Sequence, residues 1–270
     1  MTGGSVIAAE AVARLRAGEP PRGFFFDFDG VLAPIRDDPD ASAPEPRLLD
    51  ALYRLATLTR RVSVVSARPV SFLSRHIAPD RHVTLFGLYG LERRDVNGDP
   101  ATDADALAWE PQVRRLVERA RTELPPGVRV EDKRLSLALH YREAPYLRSA
   151  VEQWAGQAVA GTGLQLIDGR MVVELRPPGH DKGSVIEEQV HDLSSAWYFG
   201  DDVSDLQAFR ALDQRAARDP AFERVRVAVA NPESGQPLRA AADLVVETQE
   251  ELLQVLEAVA GELNRLGREA

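Results

Sequence analysis

An α/β fold with a parallel sheet, interrupted by an α+β insert, is what this sequence predicts. Two observations carry the prediction. Short apolar runs that end in polar residues, "FFFDFDG", "RVSVVSAR" and "SAWYFGDD", alternate with helical patterns toward both ends of the chain. Between residues 94 and 176 that alternation gives way to two hairpin patterns and two amphipathic helices.

Residues 1–20 lack a basic start followed by a long apolar core, so they read as a short helix or tail and not as a signal peptide. Residues 24–28 read as a strand of the kind buried on both faces, running into Asp27 and Asp29. A loop rich in proline and aspartate, "APIRDDPDASAPEP", follows. From 47 to 59 the pattern is helical, with Leu48, Leu52 and Leu55 on one face. "RVSVVSAR" is a second strand that ends at Ser66, "PVSFLSRHI" a short helix, and "VTLFG" a third strand.

The insert begins with a helix over 103–122, its apolar face made by Trp109, Val113, Leu116, Val117 and Ala120. "VRVEDKRLSLALHYR" is a hairpin with a charged turn. A helix over 145–159 aligns Leu147, Val151, Trp154, Ala155 and Ala158. "LQLIDGRMVVELRP" is a second hairpin, with Asp168-Gly169 as its turn. One face of the resulting sheet carries Leu135, Leu137, Leu139, Met171, Val173 and Leu175. The other carries Ser136, His140, Arg142, Glu174 and Arg176 and is either solvated or a lid over a polar ligand. After "RPPG" the α/β alternation returns, with a helix over 182–192, the strand "SAWYFG", a helix after "GDDVSD", the strands "RVAVA" and "DLVVE", and a closing helix over 247–265. The expected domains are thus a discontinuous core, 1–93 with 177–270, and a cap, 94–176.

Composition narrows the function. With 44% hydrophobic and 28% charged residues the chain is an ordinary globular protein. A net charge of -9 argues against a nucleic-acid partner. No cysteine is present, which excludes disulfides, thiolate metal sites and a cysteine nucleophile. No apolar run approaches the ~18 residues that span a bilayer. We expect a cytoplasmic monomer with a small-molecule partner.

Polar groups gather at the predicted strand ends: Asp27 and Asp29, Ser66, and Asp201, Asp202 and Asp205, with Lys182 opening a helix. Ligand sites of open parallel sheets form at the carboxyl ends of strands, so these groups can converge. Phosphoryl transfer fits them. An aspartate can attack phosphorus, and a carboxyl two residues on can protonate the leaving oxygen and then deprotonate water. Asp27, Asp201 and Asp205 would repel a phosphate dianion by about 4 kcal/mol per charge pair at ~4 Å. Lys182 offsets one unit only, so a divalent cation is required, and an all-oxygen ligand set favours Mg²⁺.

"DFDGVL", "VVSAR", "HDKG" and "GDDVSD", in that order, resemble the motifs of the haloacid-dehalogenase (HAD) phosphatase superfamily. "FDFDGVLAPI", "FGLYGLERR", "VEDKRLSLALHYR", "VVELRPPGHDKG" and "YFGDDVSDLQAF" are most similar to its trehalose-6-phosphate phosphatases. The resemblance implies a HAD-like Rossmannoid core with an inserted α+β cap, and hydrolysis of a sugar phosphate. It implies Asp27 as nucleophile, Asp29 as acid/base, and Ser66 and Lys182 as holders of the phosphoryl oxygens. Mg²⁺ would be bound by the Asp27 side chain, the Asp29 backbone carbonyl and Asp201, with Asp205 orienting a metal-bound water. Glu131, Lys133 and Glu174 match cap positions that read sugar hydroxyls. Arg68 fits either a substrate contact or a salt bridge, Asp202 either a cap or support of the site, and His140 and His180 either substrate or structural hydrogen bonds. Glucosylglycerol phosphate and sucrose phosphate are alternative substrates, and a non-catalytic sugar-phosphate sensor is the alternative of another class. The chain departs from the family at Ala67, where glycine is usual, and at Tyr89, where histidine is common. "VSDLQAF" also lacks the acidic pair that often follows the last aspartate of its motif.

Overall fold

The computed structural model describes residues 3–36, 41–169, 171–231 and 235–269. Residues 37–40 of the predicted proline- and aspartate-rich loop lie outside the described residues. The chain divides into two compact units, one within Met1–Pro100 and Asp181–Ala270, the other Ala101–His180.

In chain order the first unit begins α1 (Gly3–Ala17), β1 (Arg22–Phe26), α2 (Pro46–Leu58), β2 (Arg61–Val65), α3 (Val70–Leu73), β3 (Thr84–Gly87) and β4 (Glu92–Arg94). The second unit contains β5 (Ala101–Thr102), α4 (Ala104–Leu107), α5 (Glu110–Glu123), β6 (Arg129–Asp132), β7 (Leu137–His140), α6 (Arg148–Val159), β8 (Gln165–Gly169) and β9 (Val172–Arg176). The first unit then resumes with α7 (Lys182–Gln189), β10 (Ser195–Gly200), α8 (Leu206–Arg218), β11 (Glu223–Val229), α9 (Gln236–Ala241), β12 (Leu244–Val246) and α10 (Gln249–Glu269).

The strands of the first unit lie in the order β12-β11-β10-β1-β2-β3-β4, all parallel except β4. Phe26 is level with Phe199 on one side and Val64 on the other, so β1, β10 and β2 end nearly flush. Strands buried on both faces need apolar residues at every position, which "GFFF" and "AWYFG" supply. Phe24, Phe26, Trp197 and Phe199 face α1, α2 and α10, while Phe25 and Tyr198 face α7, α8 and α9. The ring stacks of Phe26 on Phe199, at 4.5 Å, and Phe24 on Trp197, at 5.6 Å, lock β1 to β10. Connections leave β1 toward β2 on one side and return to β10 on the other. The crevice between β1 and β10 is therefore the switch point of the sheet, where such folds bind ligands.

The second unit is an antiparallel sheet, β6-β7-β9-β8, under α5 and α6. Leu137, Leu139, Val173 and Leu175 pack on Val113, Leu116, Val117, Val151 and Ala155. The predicted long helix over 103–122 is two helices. Pro111 sits in the first turn of α5, where its missing N–H costs nothing but where a preceding helix cannot run through. Asp168 and Gly169, predicted as the second hairpin's turn, are instead paired in β8 with Val173 and Val172. The reversal falls after them, where Met171 takes a positive φ of 60°.

Candidate active site

Asp27 follows β1 directly, its amide donating to the Phe199 carbonyl at 2.9 Å, which carries the chain out between β1 and β10. Its side chain is buried. Oδ1 accepts from the Phe28 amide at 2.7 Å, and Oδ2 pairs with Lys182 Nζ at 2.8 Å. Lys182 is the first residue of α7, held there by a capping box in which Asp181 and Ser184 bond reciprocally. The same ammonium reaches Asp205 Oδ1 at 2.7 Å.

Asp205 is the hub of the loop after β10. Its Oδ1 also accepts from Tyr198 Oη at 2.7 Å, and its Oδ2 from the amides of Asp201 and Asp202 at 2.9 and 3.1 Å. Four donors on one carboxylate fix the loop's shape and so the direction of Asp201. Asp202 caps the turn Val203–Asp205 by accepting from the Ser204 amide and hydroxyl. Asp201 is buried and accepts from Asn231 Nδ2 at 2.8 Å. Gly30, at φ +79°, lets the chain after Asp29 pass close to Asp201, since a Cβ there would lie 2.1 Å from Asp201 Oδ2.

Among the described residues, Asp27, Asp201 and Asp205 each offer a carboxylate oxygen within 4.8 Å of the others. Fully ionised, three buried carboxylates and one ammonium would carry two net negative charges. Its titration reflects this. Burial pushes the Asp27 carboxyl up to about 8 against the pull of Lys182. Burial, then Asp27 and Asp205, push Asp201 well above the usual range. Burial works against the Lys182 ammonium, but Asp205 and Asp27 hold it well above its usual value. A divalent cation is the group that such a cluster fits: it supplies the missing positive charge, and the donors are hard oxygens.

Asp29 is turned to different partners. Its carboxylate forms a two-pronged pair with Arg68, Nε to Oδ2 at 2.7 Å and the terminal nitrogen to Oδ1 at 2.9 Å. Ser66, just past β2, is buried; its hydroxyl accepts from the Arg68 amide at 3.1 Å.

In the second unit the remaining predicted residues share one sheet face. Glu131, Ala138 and Glu174 are level across β6, β7 and β9. Glu174 accepts from Ser136 Oγ at 2.6 Å and pairs with Lys133 at 3.4 Å, and Glu131 pairs with His140 at 2.7 Å. Strands β6, β7 and β9 thus hold two carboxylates on either side of a small residue, with a lysine, a serine and a histidine around them.

Tyr198, Asn231 and Ser42, whose hydroxyl donates to Asp29 Oδ1 at 2.9 Å, are site residues that sequence reasoning missed. Asn231 had a usable signal, since it follows β11 at the carboxyl edge of the sheet. Tyr198 reads as one more core aromatic of β10, and Ser42 as one more loop serine.

The trehalose-phosphatase family model matches residues 25–242. A trehalose-phosphate phosphatase of Mycolicibacterium paratuberculosis is 36% identical over 210 residues, 73% of this chain and 52% of that protein. One from Mycobacterium marinum is 31% identical over 96% of this chain and 67% of its own length. Trehalose-6-phosphate phosphatase of Escherichia coli is 31% identical over 71% of this chain and 73% of its own. The chain spans only about half to two thirds of the length of the mycobacterial relatives. The C-terminal domain of Candida albicans trehalose-6-phosphate phosphatase has the same fold, with a TM-score of 0.76 at 21% identity over 94% of this chain and 96% of that one. The family match runs from β1 to the helix before β12 and takes in every strand end described above, so the chain belongs to the trehalose-phosphatase family.

Proposed function

We propose that the chain hydrolyses trehalose 6-phosphate to trehalose and phosphate, with Mg²⁺ and through an aspartyl-phosphate on Asp27. The observation that carries this reading is the buried Asp27, placed at the switch point of the sheet with Lys182 on one oxygen and Asp201 beside it. The family relationship supports the substrate.

In the first step a carboxylate oxygen of Asp27 bonds to phosphorus while the bond from phosphorus to the sugar oxygen breaks. The departing oxygen takes a proton from Asp29. Water then attacks the phosphoryl group, Asp29 takes back a proton, and the bond to Asp27 breaks to release phosphate. Lys182 and the Ser66 hydroxyl hold the phosphoryl oxygens as charge shifts among them. Asp27, the Asp29 backbone carbonyl and Asp201 would hold the metal, whose charge offsets that of the carboxylates and the phosphate. Asp205 acts at one remove, by fixing the loop that carries Asp201.

Glu131, Lys133 and Glu174, on the polar face of the second unit, are the residues proposed to bind the sugar hydroxyls. Carboxylates that accept from hydroxyls and a lysine that donates to them suit a polyol, and a site built on such bonds discriminates strongly against a sugar that leaves them unpaired.

The test is phosphate release from trehalose 6-phosphate, sucrose 6-phosphate and glucosylglycerol phosphate, each with Mg²⁺ and with chelator, beside Asp27→Asn. Metal-dependent release that strongly favours trehalose 6-phosphate and vanishes in Asp27→Asn is expected. A preference for another sugar would discard the substrate, and wild-type rates in Asp27→Asn would discard the mechanism.

A further inference from the structure

The Asp29 carboxylate is held by more than a general acid needs merely to stay in place. Oδ1 accepts from Ser42 Oγ and from an Arg68 terminal nitrogen, both at 2.9 Å, and Oδ2 accepts from Arg68 Nε at 2.7 Å. Three donors thus reach it, from positions 13 and 39 residues along the chain.

Both residues that supply them are built in. Ser42 is 1% exposed, and its hydroxyl lies 3.5 Å from the Pro34 carbonyl, a poorer acceptor at that distance than Asp29. Arg68 is fixed at its backbone, where its amide donates to Ser66 Oγ and its carbonyl accepts from the Leu88 amide at 3.0 Å. Its guanidinium lies 4.4 Å from the centre of the buried Phe72 ring, a cation–π contact that adds a second hold on the fork. Gly87 makes room for this, since a Cβ there would meet the Arg68 carbonyl at 2.8 Å. The side chain of Asp29 nevertheless remains 32% exposed, so the grip does not seal the group from a ligand.

An aspartate carboxyl turns easily about its last torsion, which has broad, roughly two-fold preferences. A fork on two oxygens and a third donor on one of them remove that freedom. We infer that Ser42 and Arg68 are positioning residues for Asp29, which aim its carboxyl at the leaving oxygen. The inference rests on the proposed role of Asp29 as acid and base. A merely structural trio would tie the loop after Asp29 and the segment around Ser42 to the end of β2 and do nothing to proton transfer.

The two roles separate by leaving group. A sugar alkoxide needs a proton as it departs, whereas 4-nitrophenolate leaves readily without one. The experiment measures KM and the pre-steady-state rate constant for release of the leaving group, at saturating substrate and Mg²⁺, for trehalose 6-phosphate and 4-nitrophenyl phosphate in wild type, Asp29→Asn, Ser42→Ala, Ser42→Thr and Arg68→Lys; hydrolysis of the aspartyl-phosphate, common to both substrates, does not enter that rate. Misplacing a catalytic group by about 1 Å can cost ~100-fold, so loss of one of three donors is expected to shift the ratio of the two release rates by about tenfold. Ser42→Ala and Arg68→Lys should both depress leaving-group release from the sugar phosphate more than from the aryl phosphate, and Ser42→Thr should restore the ratio. If Asp29→Asn is selective for the sugar phosphate while Ser42→Ala and Arg68→Lys slow both substrates alike or alter only KM, the inference is overturned. If Asp29→Asn itself slows both releases alike, the reading of Asp29 as the acid falls first and takes the inference with it. Arg68→Lys keeps the charge but not the fork, so it decides the question even where Ser42→Ala does not fold.

Discussion

Replacing Lys182 with methionine tests how the buried carboxylates are tolerated at all. The ammonium sits 2.8 Å from Asp27 and 2.7 Å from Asp205, with no appreciable access to water. At an effective dielectric of 20, each attraction amounts to about 6 kcal/mol. Desolvation of the ions consumes most of that, and removing one partner of a buried pair costs about 3–5 kcal/mol net, because the charge left behind has nothing to offset it. For a chain of this size about 2–4 °C of Tm accompanies each kcal/mol, so Lys182→Met should melt roughly 6–20 °C below wild type in chelator.

The loss should also depend on pH in a defined sense. Asp27 titrates at about 8 in the fold and from 3.8 when exposed. The folded form therefore binds more protons across that window, and its ionisation costs stability as pH rises from the lower value to the upper. Without the ammonium the folded value moves higher still, so the penalty keeps growing where the wild type has levelled off. The gap between variant and wild type should stay level up to about pH 7 and widen as pH rises through about 8 and beyond. Urea unfolding in chelator at several pH values, followed by circular dichroism, reads it directly. A difference below about 1 kcal/mol, or one flat in pH, would refute the argument that Lys182 is what makes the cluster tolerable.

Other perturbations probe the same site from different sides. Tyr198→Phe removes one of Asp205's four donors; bonds to charged groups contribute about 1.5–3 kcal/mol, and a urea midpoint unchanged from wild type would show that the hydroxyl does not hold the loop. Gly30→Ala forces a side chain into a left-handed backbone, at about 1–2 kcal/mol, and pushes on Asp201. Calorimetric titration should therefore find Mg²⁺ binding weakened as well as stability lowered. Mg²⁺ at about 100 times its Kd should stabilise the wild type by about 2.7 kcal/mol, and equal melting temperatures in metal and chelator would contradict the assigned cation site. Glu174→Ala should raise KM for trehalose 6-phosphate while leaving kcat on 4-nitrophenyl phosphate at the wild-type value, and equal losses on both substrates would argue against a role in sugar recognition.

The aspartates and Lys182 were legible in the sequence because two rules act on them together. Strand ends at the switch point collect ligand groups, and buried charge demands an opposite charge. Both rules need only local pattern and counting. The hairpin at Asp168 and Gly169 shows where local pattern fails. That dipeptide is a strong turn signal, yet pairing of Gly169 with Val172 extends the ladder and moves the reversal two residues on. The long predicted helix failed for a reason that was present in the sequence, the proline at 111, whose ring ends one helix as it opens the next.

Partners of the site residues are a different matter. Nothing in "SAWYFG" distinguishes Tyr198 from its apolar neighbours, because its hydroxyl matters only when β10 turns it toward the same face as Asp205 and Lys182. Ser42 is further out of reach, since its bond to Asp29 depends on how a proline-rich loop returns to the end of β1. Sequence order carries chemistry that a strand end can localise. It does not carry the direction of a hydroxyl 13 residues away. The same division predicts where substitutions will deceive: Ser42→Ala alters a single oxygen in a loop, and its effect should show only when the reaction requires Asp29 to deliver a proton in one particular direction.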